Sequence, residues 1–150
     1  MSDPIIEMSK NGWIADHRNE YKSDPKKGHM WDSSPVGGPG LLPTLLLTTV
    51  GRKSGNESVM PLIYGEHAGG YVVVASKGGA PKNPGWYHNM VAQDKVKVQV
   101  ADDEFDATVR ELDGEERTQV WDEMAKLYPP YIDYQAKTER QIPVLLLERA

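Results

Sequence analysis

From Pro43 onward the apolar residues gather into short runs bounded by turn residues. Six of these runs read as strands: residues 44–50, 59–64, 71–76, 95–100, 105–111 and 142–148. Most are rich in Val, Ile, Thr, Tyr or Leu, whose branched or flat side chains suit a pleated, half-buried surface. Lys95-Val96-Lys97-Val98-Gln99-Val100 alternates cleanly, so one face meets a core and the other water. Tyr71-Val72-Val73-Val74-Ala75 is apolar throughout and reads as a central strand covered on both faces. Residues 51–55, 67–70 and 101–104 fall where antiparallel neighbours turn back, and the long crossovers of a parallel sheet are missing. The pattern predicts a meander curled into a small barrel.

Two helical patterns interrupt or cap this sheet. Asn83-Pro84 reads as an N-cap followed by proline at the first helical position, opening a helix to about Gln93 with Trp86, Met90 and Tyr87 inward. Asp113-Gly114 precede a second helix to Leu127, in which Val120, Met124 and Leu127 recur at helical spacing beside Trp121. Pro129-Pro130 then end it. Ahead of the sheet, Trp13, Ile14, Tyr21, Met30 and Trp31 are irregularly spaced, and a short helix over residues 6–22 is expected. The densest Pro/Gly/Ser run is residues 33–40, which divides an N-terminal arm, residues 1–40, from the body, residues 41–150.

Composition narrows the picture. A chain of 150 residues buries roughly two thirds of its extended surface without staples. The absence of cysteine removes thiol catalysis, Cys-ligated zinc and iron–sulfur clusters, and is compatible with a reducing cytoplasm. The longest apolar-rich segment, residues 41–50, is about half the ~20 residues a membrane helix needs, and no basic-then-apolar leader precedes it. A soluble protein is expected.

The formal net charge is -5, which makes two basic stretches local exceptions. Gly51-Arg52-Lys53-Ser54-Gly55 and Ser76-Lys77-Gly78-Gly79-Ala80-Pro81-Lys82-Asn83-Pro84-Gly85-Trp86-Tyr87 place four cations on glycine-rich backbone at strand ends. Uncovered amides and charge-assisted donors make each an anion cradle, and their local character favours a small polyanion over nucleic acid. The first stretch lacks the earlier glycine of a nucleotide-binding P-loop, and no G-x-G-x-x-G opens a dinucleotide site. Each stretch read alone is also compatible with a charged hairpin turn or a capped connector.

A third element is Tyr128-Pro129-Pro130-Tyr131-Ile132-Asp133-Tyr134-Gln135. Tyr131 and Tyr134 restart a helix after the prolines, so the three tyrosines either form a wall for a flat aromatic ligand or cover a helix end as core. Protonated at neutral pH, their hydroxyls are able to donate to developing oxyanion charge. His17 and His29 have Asp16 and Asp32 nearby but no metal-ligand spacing, and no metal site is expected. Ser76 lacks the G-x-S-x-G elbow of a hydrolase.

Taken in order, Thr48-Thr49-Val50-Gly51-Arg52-Lys53-Ser54-Gly55, the segment from Ala75 through Lys82-Asn83-Pro84-Gly85-Trp86-Tyr87-His88-Asn89, and the tyrosine motif before Ile142-Pro143 resemble the deazaflavin-dependent nitroreductase family of actinobacteria. The resemblance runs from about Leu45 to Leu147. It implies an α+β split β-barrel of the flavin-reductase type, about six mainly antiparallel strands with flanking helices, and coenzyme F420 as cofactor. By position it implies that Arg52, Lys53 and Ser54 bind the phosphate and oligoglutamate tail. Ser58, Val59, Met60, Pro61, Leu62 and Ile63 would run along the cofactor, as would Val74, Ala75, Ser76, Lys77, Gly85, Trp86, Tyr87, His88 and Asn89. Tyr131 would close over the ring, with Tyr128, Tyr134 and Ser76 toward the substrate.

The chain departs from the best-known member at Ile63, where that member carries an aromatic residue, and in the N-terminal arm; both bear on acceptor choice. The implied activity is hydride transfer from reduced F420 to a quinone, a nitro compound or an activated enone or lactone. A non-catalytic F420 carrier or sensor, and a split-barrel oxidase using FMN, stand as alternatives. The expected protein is a monomer or weak homodimer of the cytoplasm, with membrane contact through a quinone substrate or the N-terminal arm.

Overall fold

The structure, a computed structural model, describes residues 13–34, 37–93 and 95–150. Its elements are α1 (Trp13–Ser23), α2 (Pro25–His29), β1 (Met30–Asp32), β2 (Leu41–Val50), β3 (Glu57–Ile63), β4 (Gly65–His67), β5 (Gly70–Val74), α3 (Gly85–Val91), β6 (Lys95–Val100), β7 (Asp103–Glu111), α4 (Gly114–Leu127), α5 (Pro130–Ala136) and β8 (Val144–Arg149), with a 3-10 turn at Lys77–Gly79. All six expected strands are present, and the three turns join β2 to β3, β4 to β5 and β6 to β7. The additions are β1 and β4, each three residues long and too short to show a period.

Every strand pair is antiparallel, in the order β1-β2-β6-β7-β8-β5-β4. The first three residues of β2 pair with β1 and the remaining seven with β3. The sheet curls into a split β-barrel flanked by helices, as expected. It is not a simple meander, because β2 lies against β6 and β5 against β8 across long stretches of chain.

Alternation along β5 and β8 explains why both are apolar throughout. Val73, Ala75, Leu145 and Leu147 face an inner core with Leu45, Leu47, Val96, Val98 and Ala107, and α3 plugs that core with Trp86 and Met90. Val72, Val74, Val144 and Leu146 face an outer core covered by Val120 and Met124 of α4 and by the tyrosines of residues 128–134. Thus β5 is covered on both faces without being central; it stands next to the end of the strand order. Each fully buried Val or Leu contributes about 1.5–3 kcal/mol, so the two cores lock opposite faces of the same strands.

Helix α4 spans the expected residues. Its Glu116 bonds His67 of β4 at 2.9 Å and Arg110 of β7 at 2.7 Å. Those contacts, Arg110's first, hold the Glu116 carboxyl down at about 2. The arm helix expected over residues 6–22 is observed as α1, with residues 6–12 of that expectation outside the described residues. It packs on the barrel through Tyr21, fully buried, whose hydroxyl donates to the Thr44 carbonyl at 2.8 Å and accepts from the Ala101 N–H at 2.7 Å. Burial pushes that phenol up to about 12. Helix α2 turns tightly back because Gly28 lies against Tyr21, where an added Cβ would sit 2.4 Å from its Cα.

Candidate functional site

The basic turn between β2 and β3 folds on itself through local bonds. Gly51 N–H donates to the Asn56 carbonyl at 2.7 Å, Gly55 N–H to the Gly51 carbonyl at 2.9 Å, and Asn56 N–H to Ser54 Oγ at 3.2 Å. Arg52, Lys53 and Ser54 are exposed. The turn is also fastened to α3: the Arg52 backbone N–H and Nη1 donate to Asn89 Oδ1 at 3.2 and 2.9 Å. Just past α3, Gln93 donates to the Val50 and Asn89 carbonyls, both at 2.7 Å. The first basic stretch therefore meets the helix that follows the second. Among the described residues no carboxylate pairs with Arg52 or Lys53, so both charges remain available to an anion.

Beneath this turn, Thr49 shares the inward face of β2 with Leu45 and Leu47 and is 1% exposed. Its hydroxyl is buried without a hydrogen-bond partner among the described residues. Such an orphan costs about 1–3 kcal/mol and is uncommon without a role. Across β2, Ser58, Val59, Met60, Pro61, Leu62 and Ile63 form the half-buried strand β3; Met60 and Leu62 pack toward the inner core and Ile63 toward the outer one.

The second stretch leaves β5 at Val74 and Ala75, both buried, and Ser76, 7% exposed. Lys77 is exposed and sits at φ 46°, and Gly79 at φ 82°. Gly79 and Ala80 N–H groups bond back to the Ser76 and Lys77 carbonyls at 2.9 and 3.1 Å, whereas the Ser76 and Lys77 N–H groups meet no acceptor among the described residues. Unpaired amides beside a lysine on left-handed backbone fit an anion. The helix start differs from expectation. Pro84, not Asn83, occupies the N-cap, and Asn83 Oδ1 accepts from Arg140 at 2.7 Å. Only seven residues long, α3 ends at Val91, and its dipole is correspondingly small. Gly85 is exposed, Trp86 and Asn89 are buried, and Tyr87 and His88 are half-buried. The Tyr87 hydroxyl donates to the Glu111 carboxylate, and burial followed by that contact pushes its phenol up to about 12.

The tyrosines close on one another. Tyr128, Tyr131 and Tyr134 are 0%, 4% and 4% exposed, the Tyr128 and Tyr131 rings meet edge to face at 4.8 Å, and the Tyr128 and Tyr134 hydroxyls lie 2.8 Å apart. Burial, then Tyr128, pushes the Tyr131 phenol far above its usual range. In place of an open wall they form part of the outer core with Leu42, Val74 and Ile142, because α5 packs against α4 and the 3-10 turn at Lys77–Gly79. Gly79 connects this cluster to the second stretch: an added Cβ there would lie 2.6 Å from the Tyr134 carbonyl oxygen.

Arg140 escaped sequence reasoning. It donates to the Ala80, Ala75 and Ser76 carbonyls at 2.9, 3.2 and 2.7 Å as well as to Asn83. Within Lys137-Thr138-Glu139-Arg140-Gln141 nothing separates it from a solvated charge. Gln93 and Glu111 were likewise invisible. Among the described residues no group of His, Asp and Glu converges to hold a metal, and no helix is long and apolar enough to cross a membrane.

Against known proteins, the family model for F420H(2)-dependent quinone reductase matches residues 23–149. The F420H(2)-dependent quinone reductase Rv1261c of Mycobacterium tuberculosis is 36% identical over 114 residues, covering 74% of this chain and 76% of that protein. Among solved structures, the F420-H2 dependent reductase FDR-A is similar at 49% identity and TM-score 0.64, covering 70% of this chain and 93% of that one. A chain described as a domain-swapped dimer is similar at the same identity and TM-score, with 70% and 79% covered.

Proposed function

The chain belongs to the F420H2-dependent quinone reductase family, oxidoreductases that use reduced coenzyme F420, and we propose that it passes hydride from that cofactor to a quinone or another electron-poor conjugated acceptor, including nitro compounds and activated enones or lactones. One observation carries the assignment of the site: Arg52, held by Asn89 against the helix that follows the second basic stretch, and its exposed neighbour Lys53 are unpaired with any described carboxylate. The orphaned Thr49 hydroxyl and the unpaired Ser76 and Lys77 amides are further donors that fit an anionic, hydrogen-bonding cofactor.

Bound F420H2 would supply hydride from its C5 carbon. Arg52, Lys53 and Ser54 would bind its phosphate and glutamate tail through charge-assisted bonds. Residues 58–63 and 74–77, with Gly85, Trp86, Tyr87, His88 and Asn89, would orient it and exclude water. Ser76 at the strand end would hold a proton beside the acceptor and stabilise the negative charge that hydride transfer places on it, whereas Tyr131 would cover the ring, and Tyr128 and Tyr134 would reach the acceptor, only once α5 opens on binding, since all three are closed in the outer core. The Tyr131 phenol, pushed up by burial, keeps its proton across the physiological range. A lipophilic quinone is met at the membrane, so a cytoplasmic enzyme would work as a peripheral visitor at its inner face. A weak homodimer belongs to the same proposal, supported by the domain-swapped relative.

The test is a fluorescence titration with F420 and FMN in parallel, followed by oxidation of F420H2 with and without menadione. Tight F420 binding with menadione-dependent oxidation is expected. Binding without turnover would make the protein a carrier or sensor, and a preference for FMN would overturn the cofactor assignment for this site.

A further inference from the structure

We propose that Arg140, seated by Gln135, is a positioning residue of the cofactor site: its guanidinium turns the peptide planes of residues 75–77 so that the Ser76 and Lys77 N–H groups face the ligand, and it places a positive charge behind them. The proposal rests on the F420 assignment above. Its geometric basis is independent of it.

In a trans peptide the carbonyl and the following N–H point in opposite directions. Arg140 takes the Ala75 carbonyl through Nη1 at 3.2 Å and the Ser76 carbonyl through Nη2 at 2.7 Å. The Ser76 and Lys77 N–H groups are thereby directed away from Arg140, and neither meets an acceptor among the described residues. The Ser76 carbonyl also accepts from Gly79 N–H at 2.9 Å, which holds the turn that contains Lys77 at φ 46°, a conformation unfavourable for an L side chain. Nε and Nη1 extend the hold to the Ala80 carbonyl at 2.9 Å and Asn83 Oδ1 at 2.7 Å, so one guanidinium spans the whole connection from β5 to α3.

Arg140 is itself held in place. Gln135 Nε2 donates to the Arg140 carbonyl at 2.8 Å, and Gln135 Oε1 accepts from the Ile142 N–H at 3.0 Å. Arg117 of α4 donates to the Ile142 carbonyl at 2.6 Å. The helix that carries Tyr131 and Tyr134 therefore also seats the arginine that shapes the backbone of the second basic stretch. All the side-chain acceptors that Arg140 meets among the described residues are neutral, so no described carboxylate compensates its charge, in contrast to Arg110 and Arg149 on the surface. An arginine serving only as glue gains most from a carboxylate partner; one facing carbonyls beside unpaired amides adds to an anion's field.

The experiment compares wild type, Arg140→Gln and Arg140→Lys by F420 fluorescence titration, steady-state kinetics with menadione, thermal melting and amide hydrogen exchange. Arg140→Gln should raise the F420 Kd about tenfold to a hundredfold and raise KM for F420H2 more than it lowers kcat. Arg140→Lys should recover part of the affinity, because it keeps the charge and loses the fork. Exchange should accelerate selectively at Gly79 and Ala80. An unchanged F420 Kd in folded Arg140→Gln, whatever its melting temperature, overturns the proposal. If Arg140→Gln does not fold, the Arg140→Lys titration decides by the same criterion. If wild type fails to bind F420, the cofactor assignment falls, and exchange alone decides on Arg140: acceleration at Gly79 and Ala80 supports its hold on the turn, and no change removes it.

Discussion

Lys53 and Tyr131 stand at opposite extremes of exposure, and their substitutions should fail in opposite ways. Lys53 is exposed on a turn whose shape is set by other residues, so Lys53→Ala removes a charge and little packing. A charge-assisted bond is worth roughly 1.5–3 kcal/mol, and the F420 Kd should rise about ten- to a hundredfold in a titration, with the melting temperature nearly unchanged. Equal affinity would remove Lys53 from the site. Tyr131→Phe keeps the ring that meets Tyr128 edge to face at 4.8 Å and deletes only the hydroxyl. If that hydroxyl acts in turnover, kcat with menadione should fall at least about tenfold while Kd stays within about twofold; a matched loss in both would make Tyr131 a packing residue. The two basic stretches were legible at this scale because clustered cations and glycines in an acidic chain are unusual. Arg140 was not, because its significance lies in which carbonyls it reaches, and those are some 60 residues away in sequence.

Elements were legible where a period had room to show itself. The alternation of β6 and the spacing of α4 each gave the observed element, whereas β1 and β4 offer three residues apiece and rely on neighbours for their pairing. The start of α3 was misplaced by one residue because Asn83 is a good cap in isolation, yet here its side chain is engaged by Arg140. The tyrosines of α5 read equally well as ligand wall or core, and only the packing of α5 distinguishes the two. Gly79 joins these elements. At φ 82°, with the Tyr134 carbonyl oxygen and Cα only 2.6 and 2.9 Å from where a Cβ would stand, it admits no side chain without moving backbone. Gly79→Ala should therefore destabilise the fold by about 1–3 kcal/mol in urea unfolding and weaken F420 binding at the same time. A stable variant with full affinity would show that the turn and α5 are not coupled.

At the scale of the whole molecule, antiparallel pairing and curling followed from the turns, but the order of strands did not, since a strand buried on both faces looks the same beside β8 as at the centre. What the sequence concealed most completely is how far burial unites its phenols. Tyr21 ties α1 to the barrel and Tyr64 meets His29 Nε2 at 2.7 Å; burial pushes both phenols up to about 12. Tyr87, more open to water and weaker in effect, moves the same way, and Tyr131 further still. In the unfolded chain each ionises near ~10. Between about pH 10 and 12 the unfolded state has released protons that the folded state retains, so stability must fall as pH rises across that window. Below it the contribution is complete. Melting temperatures measured from about pH 8 to 11 should drop steeply at the alkaline end, with tyrosinate absorbance appearing together with unfolding, and Tyr21→Phe should flatten the slope while lowering the plateau. Smooth ionisation of all tyrosines near pH ~10 in a chain that stays folded would show that these phenols are not held neutral by the fold.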